Sequence, residues 1–264
     1  MSDFLSRISC QHELEDLFDR ALENRDIWPA LQPIVCLNTG TIEGYEVLAR
    51  WTAPSGIDIS PARFIPKLKE AGLLDKLAID LLDIACRASV QRPGDFYLSF
   101  NLAPTQLSQP DLADRLLRTV DRTRFSTTRV HFELTEQMAI PNESVAYSTF
   151  TQLMERGVKL AIDDFGVDHS NFVRLDSLPF QILKIDAQLV NGMSSSSMKR
   201  SMVRVILDLC KDLHLTSVGE GVESSEDAEA LRELGCDLAQ GFHFGRPRSM
   251  SDTEFEKPTL VSIG

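Results

Sequence analysis

Between residues 30 and 242 the chain alternates short apolar runs with amphipathic stretches, and this alternation restricts the fold more than any single motif. Runs at 30–36, 42–50, 96–102, 130–135, 158–163, 181–186, 216–220 and 237–242 have the length and the β-branched or aromatic content of strands. Helical periodicity fills 61–71, 74–90, 112–121, 143–156, 198–213 and 225–234, and a first helix is expected at 11–24. Pro61 suits a first helical turn and Gly72 a stop. Strands alternating with helices predict an α/β fold. Eight strands in 264 residues favour a closed (β/α)8 barrel, typically about 250 residues long, over an open sheet. The turn Asn38-Thr39-Gly40 is too short for a crossover helix, so the first two strands are expected to be antiparallel neighbours in a modified TIM barrel. No Pro-, Gly- or Ser-rich linker divides the chain. The expected organisation is an N-terminal helix within 1–27 followed by one barrel domain over 28–264.

Nearly every run carries a polar residue at or near its C-terminal end: Glu46, Asn101, Glu133, Asp163, Asp186, Glu220 and Gln240. Lys184, two residues before Asp186, shares its strand face. In a TIM-type barrel those ends converge on one mouth, where active sites lie. Taken singly, an acid at a strand end is usually a helix cap or a solvated loop residue, and a lysine beside it a simple counter-ion. Their coincidence at one rim, with Asp164 beside Asp163, is what points to a site. Clustered carboxylates repel and raise one another's pKa, and divalent cations remove that penalty. A donor set of carboxylates plus the Asn101 amide favours Mg²⁺ or Mn²⁺ over zinc. The histidines His12, His131, His169, His214 and His243 show no ligand spacing, and Phe64, Phe100 and Phe242 read as packing rather than as a base-stacking platform.

Charge narrows the partners. With 27 Lys and Arg against 39 Asp and Glu the net charge is −12, and no basic run stands out. That argues against binding polymeric nucleic acid or an anionic membrane surface, and leaves room for a small anionic ligand held through metal ions. No apolar stretch approaches the roughly 20 residues of a membrane-spanning helix, and the N-terminus shows no apolar signal segment. Five scattered cysteines without a C-x-x-C pair suit a reducing, cytoplasmic setting.

The motifs on these strands resemble those of the EAL domain family, the phosphodiesterases that hydrolyse cyclic di-GMP to linear pGpG. They run in order as Gln32-Pro-Ile, Glu46-Val-Leu48-Ala-Arg50, Pro61-Ala-Arg-Phe-Ile-Pro66, Phe100-Asn-Leu102 and Glu133-Leu-Thr-Glu136. They continue as Asp163-Asp-Phe-Gly166, Leu183-Lys-Ile-Asp186, Glu220-Gly-Val-Glu223 and Gln240-Gly-Phe. The resemblance covers roughly 28–248. It implies a barrel with an antiparallel first strand, and a site holding two Mg²⁺ or Mn²⁺ ions. Glu46, Asn101, Glu133 and Asp163 would ligate one ion; Asp163 and Asp164 would hold the second, with Glu220 contributing. Gln32, Leu48, Arg50, Asp186 and Gln240 would contact substrate or its water network, and Glu136 and Glu223 would brace the loop after strand five. Lys184 and Glu220 are alternative proton-transfer residues. Ca²⁺ is expected to bind yet inhibit, its looser geometry placing the nucleophile poorly.

Three features depart from the family pattern. Val47 replaces the usual Ala, Gly219 the usual Ala before Glu220, and Val167-Asp168-His169-Ser170-Asn171-Phe172 stands where the family has T/S-G-Y-S-S-L. Asp168 has a Cβ where the family has glycine, and reaches positive φ less readily. Two readings follow: an active phosphodiesterase, since every ligand position is intact, or a receptor that binds cyclic di-GMP and signals to a protein partner. A glycosidase with paired carboxylates explains neither Asn101 nor Lys184. The resemblance also implies a homodimer. The residues before position 28 are too few for a sensor or cyclase domain, so regulation is expected through expression, oligomerisation or a partner.

Overall fold

The computed structural model describes residues 11–135, 140–166, 175 and 178–253. Helix α1 (Gln11–Glu23) leads into strands β1 (Ile27–Cys36) and β2 (Ile42–Thr52), followed by the two-residue strand β3 (Asp58–Ile59). Helices α2 (Pro61–Glu70) and α3 (Leu74–Ser89) precede β4 (Tyr97–Asn101). Then come α4 (Leu112–Thr123), β5 (Val130–Thr135), α5 (Glu143–Glu155), β6 (Lys159–Phe165) and β7 (Ile182–Ile185). After the one-turn helix α6 (Ala187–Val190) the chain forms α7 (Ser197–Asp212), β8 (Thr216–Gly219), α8 (Ser225–Leu234), β9 (Leu238–Gln240) and the two-residue strand β10 (Arg248–Ser249).

Local chemistry sets several boundaries. Asn142 caps α5 by accepting from the Val145 amide at 3.2 Å, and Ser224 caps α8 by accepting from the Asp227 amide at 3.2 Å. Gly235 ends α8 in the left-handed region, at φ 83°. In α3, Leu77, Leu81, Leu82, Ala85 and Cys86 form the buried stripe expected of an amphipathic helix on a sheet.

Strands β2 and β4 to β9 pair in parallel, each with the next around the ring. Strand β1 runs against both of its barrel neighbours, with Gln32 opposite Glu46 on β2 and Ile34 opposite Gln240 on β9. It thereby closes an eight-stranded barrel with an antiparallel first strand, as the short turn after Cys36 requires. The hairpin is longer than the sequence suggests. Its ladder extends to Ile27 opposite Trp51, and β3 pairs with the far end of β2. Ile27 is therefore already barrel, and α1 is packed onto it. Phe18 and Ala21 share a buried cluster with Trp51, Phe64 and Leu68, the Trp51 ring meeting Phe18 and Phe64 edge-on.

Inside the barrel the two-residue period of strands produces layers. Ile34, Ala161, Ile182, Val218 and Leu238 form an apolar plug, each large aliphatic side chain contributing about 1.5–3 kcal/mol by burial. Two positions further along each parallel strand stand Asp163, Lys184, Glu220 and Gln240. On antiparallel β1 the count runs backwards, from Ile34 to Gln32. Glu46, Asn101 and Glu133 complete this second layer from β2, β4 and β5. A polar tier thus rests on an apolar floor at the C-terminal mouth.

Candidate active site

Lys184 is the centre of the tier. The residue is 1 % exposed, and Nζ lies 2.5 Å from Glu133 Oε2, 2.7 Å from Glu220 Oε1, 3.1 Å from Asp163 Oδ1 and 3.9 Å from Glu46 Oε2. Glu46 is held from the other side: Asn101 Nδ2 donates to Oε1 at 2.7 Å and Gln240 Nε2 to Oε2 at 2.6 Å. Gln240 Nε2 also reaches Gln32 Oε1 at 3.1 Å, and Gln32 Nε2 donates to the Gly245 carbonyl at 3.2 Å. Six of the sequence-predicted residues on β2, β4, β5, β6, β7 and β9 therefore meet in one network with Gln32 and Glu220.

One ammonium cannot balance four clustered carboxylates, three buried and Glu220 partly so, and the protonation equilibria register the mismatch. Burial pushes Glu133 up to about 8, against the pull of Lys184 and with the push of Glu46 and Asp163. Burial, then Asp163, raises Glu220 well above the carboxylate range. Burial works to lower the Lys184 ammonium, but Asp163, Glu133, Glu220 and Glu46 outweigh it and hold it well above the lysine range. The cluster, as it stands, retains protons that cations of higher charge would displace.

Asp163, Asp164 and Glu220 each offer an oxygen within 4.8 Å of the others. Asp163 Oδ1 and Gln240 Oε1 are buried without a hydrogen-bond partner among the described residues, the former near Lys184 Nζ but outside hydrogen-bonding geometry. Asp164 stands in the left-handed region at φ 56°, uncommon for a residue with a Cβ, and this turns it away from the strand path. Burial, Asp163 and Asp186 together raise its carboxyl to about 6. Unpaired acceptors and an all-oxygen donor set suit hard divalent cations.

A cavity of about 250 Å³ opens above the tier, walled by Gln32, Leu48, Glu220, Glu223, Gln240 and Phe242. Glycine is required at its base: a Cβ on Gly241 would lie 2.1 Å from the Val222 carbonyl oxygen. Arg50 is half-buried near Glu46 and Asp58, its Nη1 donating to the Ala49 carbonyl. Asp186 caps α6 through the Gln188 amide and hydrogen-bonds Asp164, so it faces the acidic pair rather than the cavity wall. Glu136 and the segment 167–172 lie outside the described residues.

One residue is misread in the sequence. Phe64 and Phe100 are packing residues, but Phe242 is 48 % exposed on the cavity wall, with the Arg246 guanidinium 4.1 Å from its ring centroid. The signal was its phase: Phe242 continues the inward row of Leu238 and Gln240 two residues past the strand.

A family model described as the EAL domain matches residues 15–247. The bifunctional diguanylate cyclase/cyclic di-GMP phosphodiesterase MucR of Pseudomonas aeruginosa is 33 % identical over 245 residues, covering 90 % of this chain and 36 % of MucR. The cyclic di-GMP phosphodiesterase RocR of the same organism is 33 % identical over 231 residues, covering 86 % of this chain and 59 % of RocR. In three dimensions the PaMucR phosphodiesterase in its c-di-GMP complex is similar with a TM-score of 0.81 at 33 % identity, over 89 % of this chain and 97 % of that one. Klebsiella pneumoniae BlrP1, in a calcium/cy-diGMP complex, gives 0.76 at 30 % identity over 85 % and 56 %. Three further curated relatives, all named uncharacterized proteins, are much longer, this chain spanning 27 to 36 % of their length. With the barrel, its reversed first strand and the polar tier all in place, the chain belongs to the EAL domain family.

Proposed function

We propose that this chain is a metal-dependent phosphodiesterase that opens cyclic di-GMP to linear pGpG. The observation that carries the reading is the intact ring of oxygen donors around one buried ammonium at the barrel mouth. Glu46, Asn101, Glu133 and Asp163 would hold one divalent cation, and Asp163, Asp164 and Glu220 a second. Five carboxylates against one ammonium leave four negative charges, which two divalent cations cancel. Mg²⁺ or Mn²⁺, when bound, supplies an acidified water and the positive charge that draws a phosphodiester into an acidic mouth.

The protein's own groups do the rest. Gln32 and Leu48 wall the cavity that would take the dinucleotide, Arg50 stands near Glu46 on the same strand, and Phe242 would offer its face to a guanine. Lys184 stays protonated, fixing Glu133 by a charge-assisted hydrogen bond and Glu220 by an ion pair. A protonated ammonium has no lone pair to accept a proton, which leaves Glu220 as the better proton acceptor of the two candidates once cations have displaced its proton. Asp186 orients Asp164. Four of the cysteines are free thiols, and no helix among the described residues is long and apolar enough to cross a membrane. Both support a cytoplasmic setting.

Purified protein incubated with cyclic di-GMP and Mn²⁺ or Mg²⁺ should yield pGpG on anion-exchange chromatography, and none in EDTA. An unchanged substrate peak with both metals, alongside saturable binding, would replace this reading by a receptor signalling to a protein partner. The sequence Val167–Phe172, with Asp168 in place of glycine, is what favours that second reading.

A further inference from the structure

The β1–β2 hairpin outruns the barrel rim, and the two faces of its overhang differ. On one face Ile27 and Trp51, opposite one another, are buried with Phe18, Ile59 and Phe64 beneath α1 and α2. Side chains alternate along a strand and directly opposed residues share a face, so the other face carries one continuous row of rungs. It starts with Gln32 opposite Glu46 in the polar tier, continues with Ala30 opposite Leu48, and reaches Trp28 opposite Arg50. Leu48 walls the cavity above the tier, so Trp28 and Arg50, both half-buried, form the next rung outward from that wall.

The Trp28 indole is held by its edge. Nε1 donates to Thr52 Oγ1 at 3.1 Å, and Thr52 Oγ1 donates to Asp58 Oδ1 at 2.8 Å, Asp58 standing opposite Thr52 on β3. A tryptophan tied down at its N–H, on the face turned away from the helices, keeps its ring plane for a flat partner. Four residues of strand, about 14 Å, separate Trp28 from Gln32, which shares the cavity wall with Phe242. A cyclic dinucleotide carries its two bases on opposite sides of the sugar-phosphate ring, so a base on Phe242 leaves the second to be met elsewhere. We propose that Trp28 is the stacking surface for that second base, an inference that rests on the cyclic dinucleotide reading above. Stacking accepts any base, so Trp28 adds affinity and leaves base identity to other groups.

The chain has two tryptophans, and Trp51 is 1 % exposed, so a nucleotide-dependent change in indole emission reports on Trp28. Titrating the whole chain with cyclic di-GMP in Ca²⁺ should quench that emission saturably, with the affinity that equilibrium dialysis gives. Trp28→Phe should lose the signal yet bind within about threefold of wild type, because its ring still stacks. Trp28→Leu should weaken binding, and raise KM in Mg²⁺, by about 5- to 100-fold with kcat little changed. A purely structural role through the Thr52 hydrogen bond predicts that phenylalanine fails as badly as leucine, and that result would overturn the proposal. So would dialysis binding with unchanged emission, or wild-type affinity in Trp28→Leu, either of which leaves the phosphodiesterase reading intact. Saturable quenching without pGpG in Mg²⁺ or Mn²⁺ would uphold the contact and remove the hydrolysis, whereas no binding by dialysis would overturn both.

Discussion

Replacing Lys184 by methionine removes the ammonium and keeps the length of the side chain. Glu133 and Glu220, 2.5 and 2.7 Å from Nζ, would be left facing Asp163 and Glu46 with no counter-charge. Breaking a buried pair by deleting one partner costs about 3–5 kcal/mol, which in a domain of this size lowers Tm by about 6–20 °C. The sign with pH follows from the carboxyls. Glu133 has a folded-state pKa of about 8, above its unfolded value, so its contribution to stability is complete below the unfolded carboxylate range and is lost as pH rises through about 8. Without Lys184 the folded-state value rises further, so the folded variant keeps its protons at pH 5 and suffers most at pH 8. Differential scanning fluorimetry in EDTA should show a small Tm deficit at pH 5 and the full deficit at pH 8, and Mn²⁺ should recover part of the latter. An equal deficit at both pH values, untouched by Mn²⁺, would refute charge imbalance as the cause and leave only lost packing.

Four further outcomes follow from the same geometry. Glu46→Ala should reduce pGpG formation below detection while Tm stays within a few degrees of wild type, because a cation ligand is lost but the apolar floor is not. Phe242→Ala should raise KM for cyclic di-GMP about 5- to 100-fold with kcat little changed, stacking on a base being worth about 1–3 kcal/mol; a fall in kcat alone would remove Phe242 from substrate binding. Gly241→Ala, with its Cβ 2.1 Å from the Val222 oxygen, should destabilise the fold by about 3 kcal/mol or more in urea titration. Ca²⁺ should compete with Mg²⁺ in a binding assay yet support little turnover, and equal rates with the two ions would count against the mechanism.

Much of the site was legible because one rule writes it. A barrel filled by an apolar floor and rimmed by chemistry forces each strand to switch from apolar to polar two residues apart, as from Ala161 to Asp163 or Val218 to Glu220, and that switch survives in one dimension. The hairpin was legible for a similar reason, a turn too short to permit a crossover. What stayed hidden depends on distant neighbours. The ladder from Ile27 to Trp51 needs the partner strand to be known, and β3 and β10 are too short to carry a period. The phase of Phe242 with Leu238 and Gln240 states that it faces inward, but not that the barrel is open at that height, so it reads as core. The positive φ of Asp164 is invisible in an aspartate.

Gln240 donates to Glu46 and to Gln32 across 194 and 208 residues of sequence. Strand β1 can complete its pairing only when β9 arrives beside it, so on the ribosome Glu46 waits until the last barrel strand has been made for one of the two amides that hold it. A nascent or truncated chain that stops short of Gln240 lacks that clasp, however many carboxylates of the tier have already emerged. Assembly of the polar tier and closure of the barrel are thereby tied to the same event.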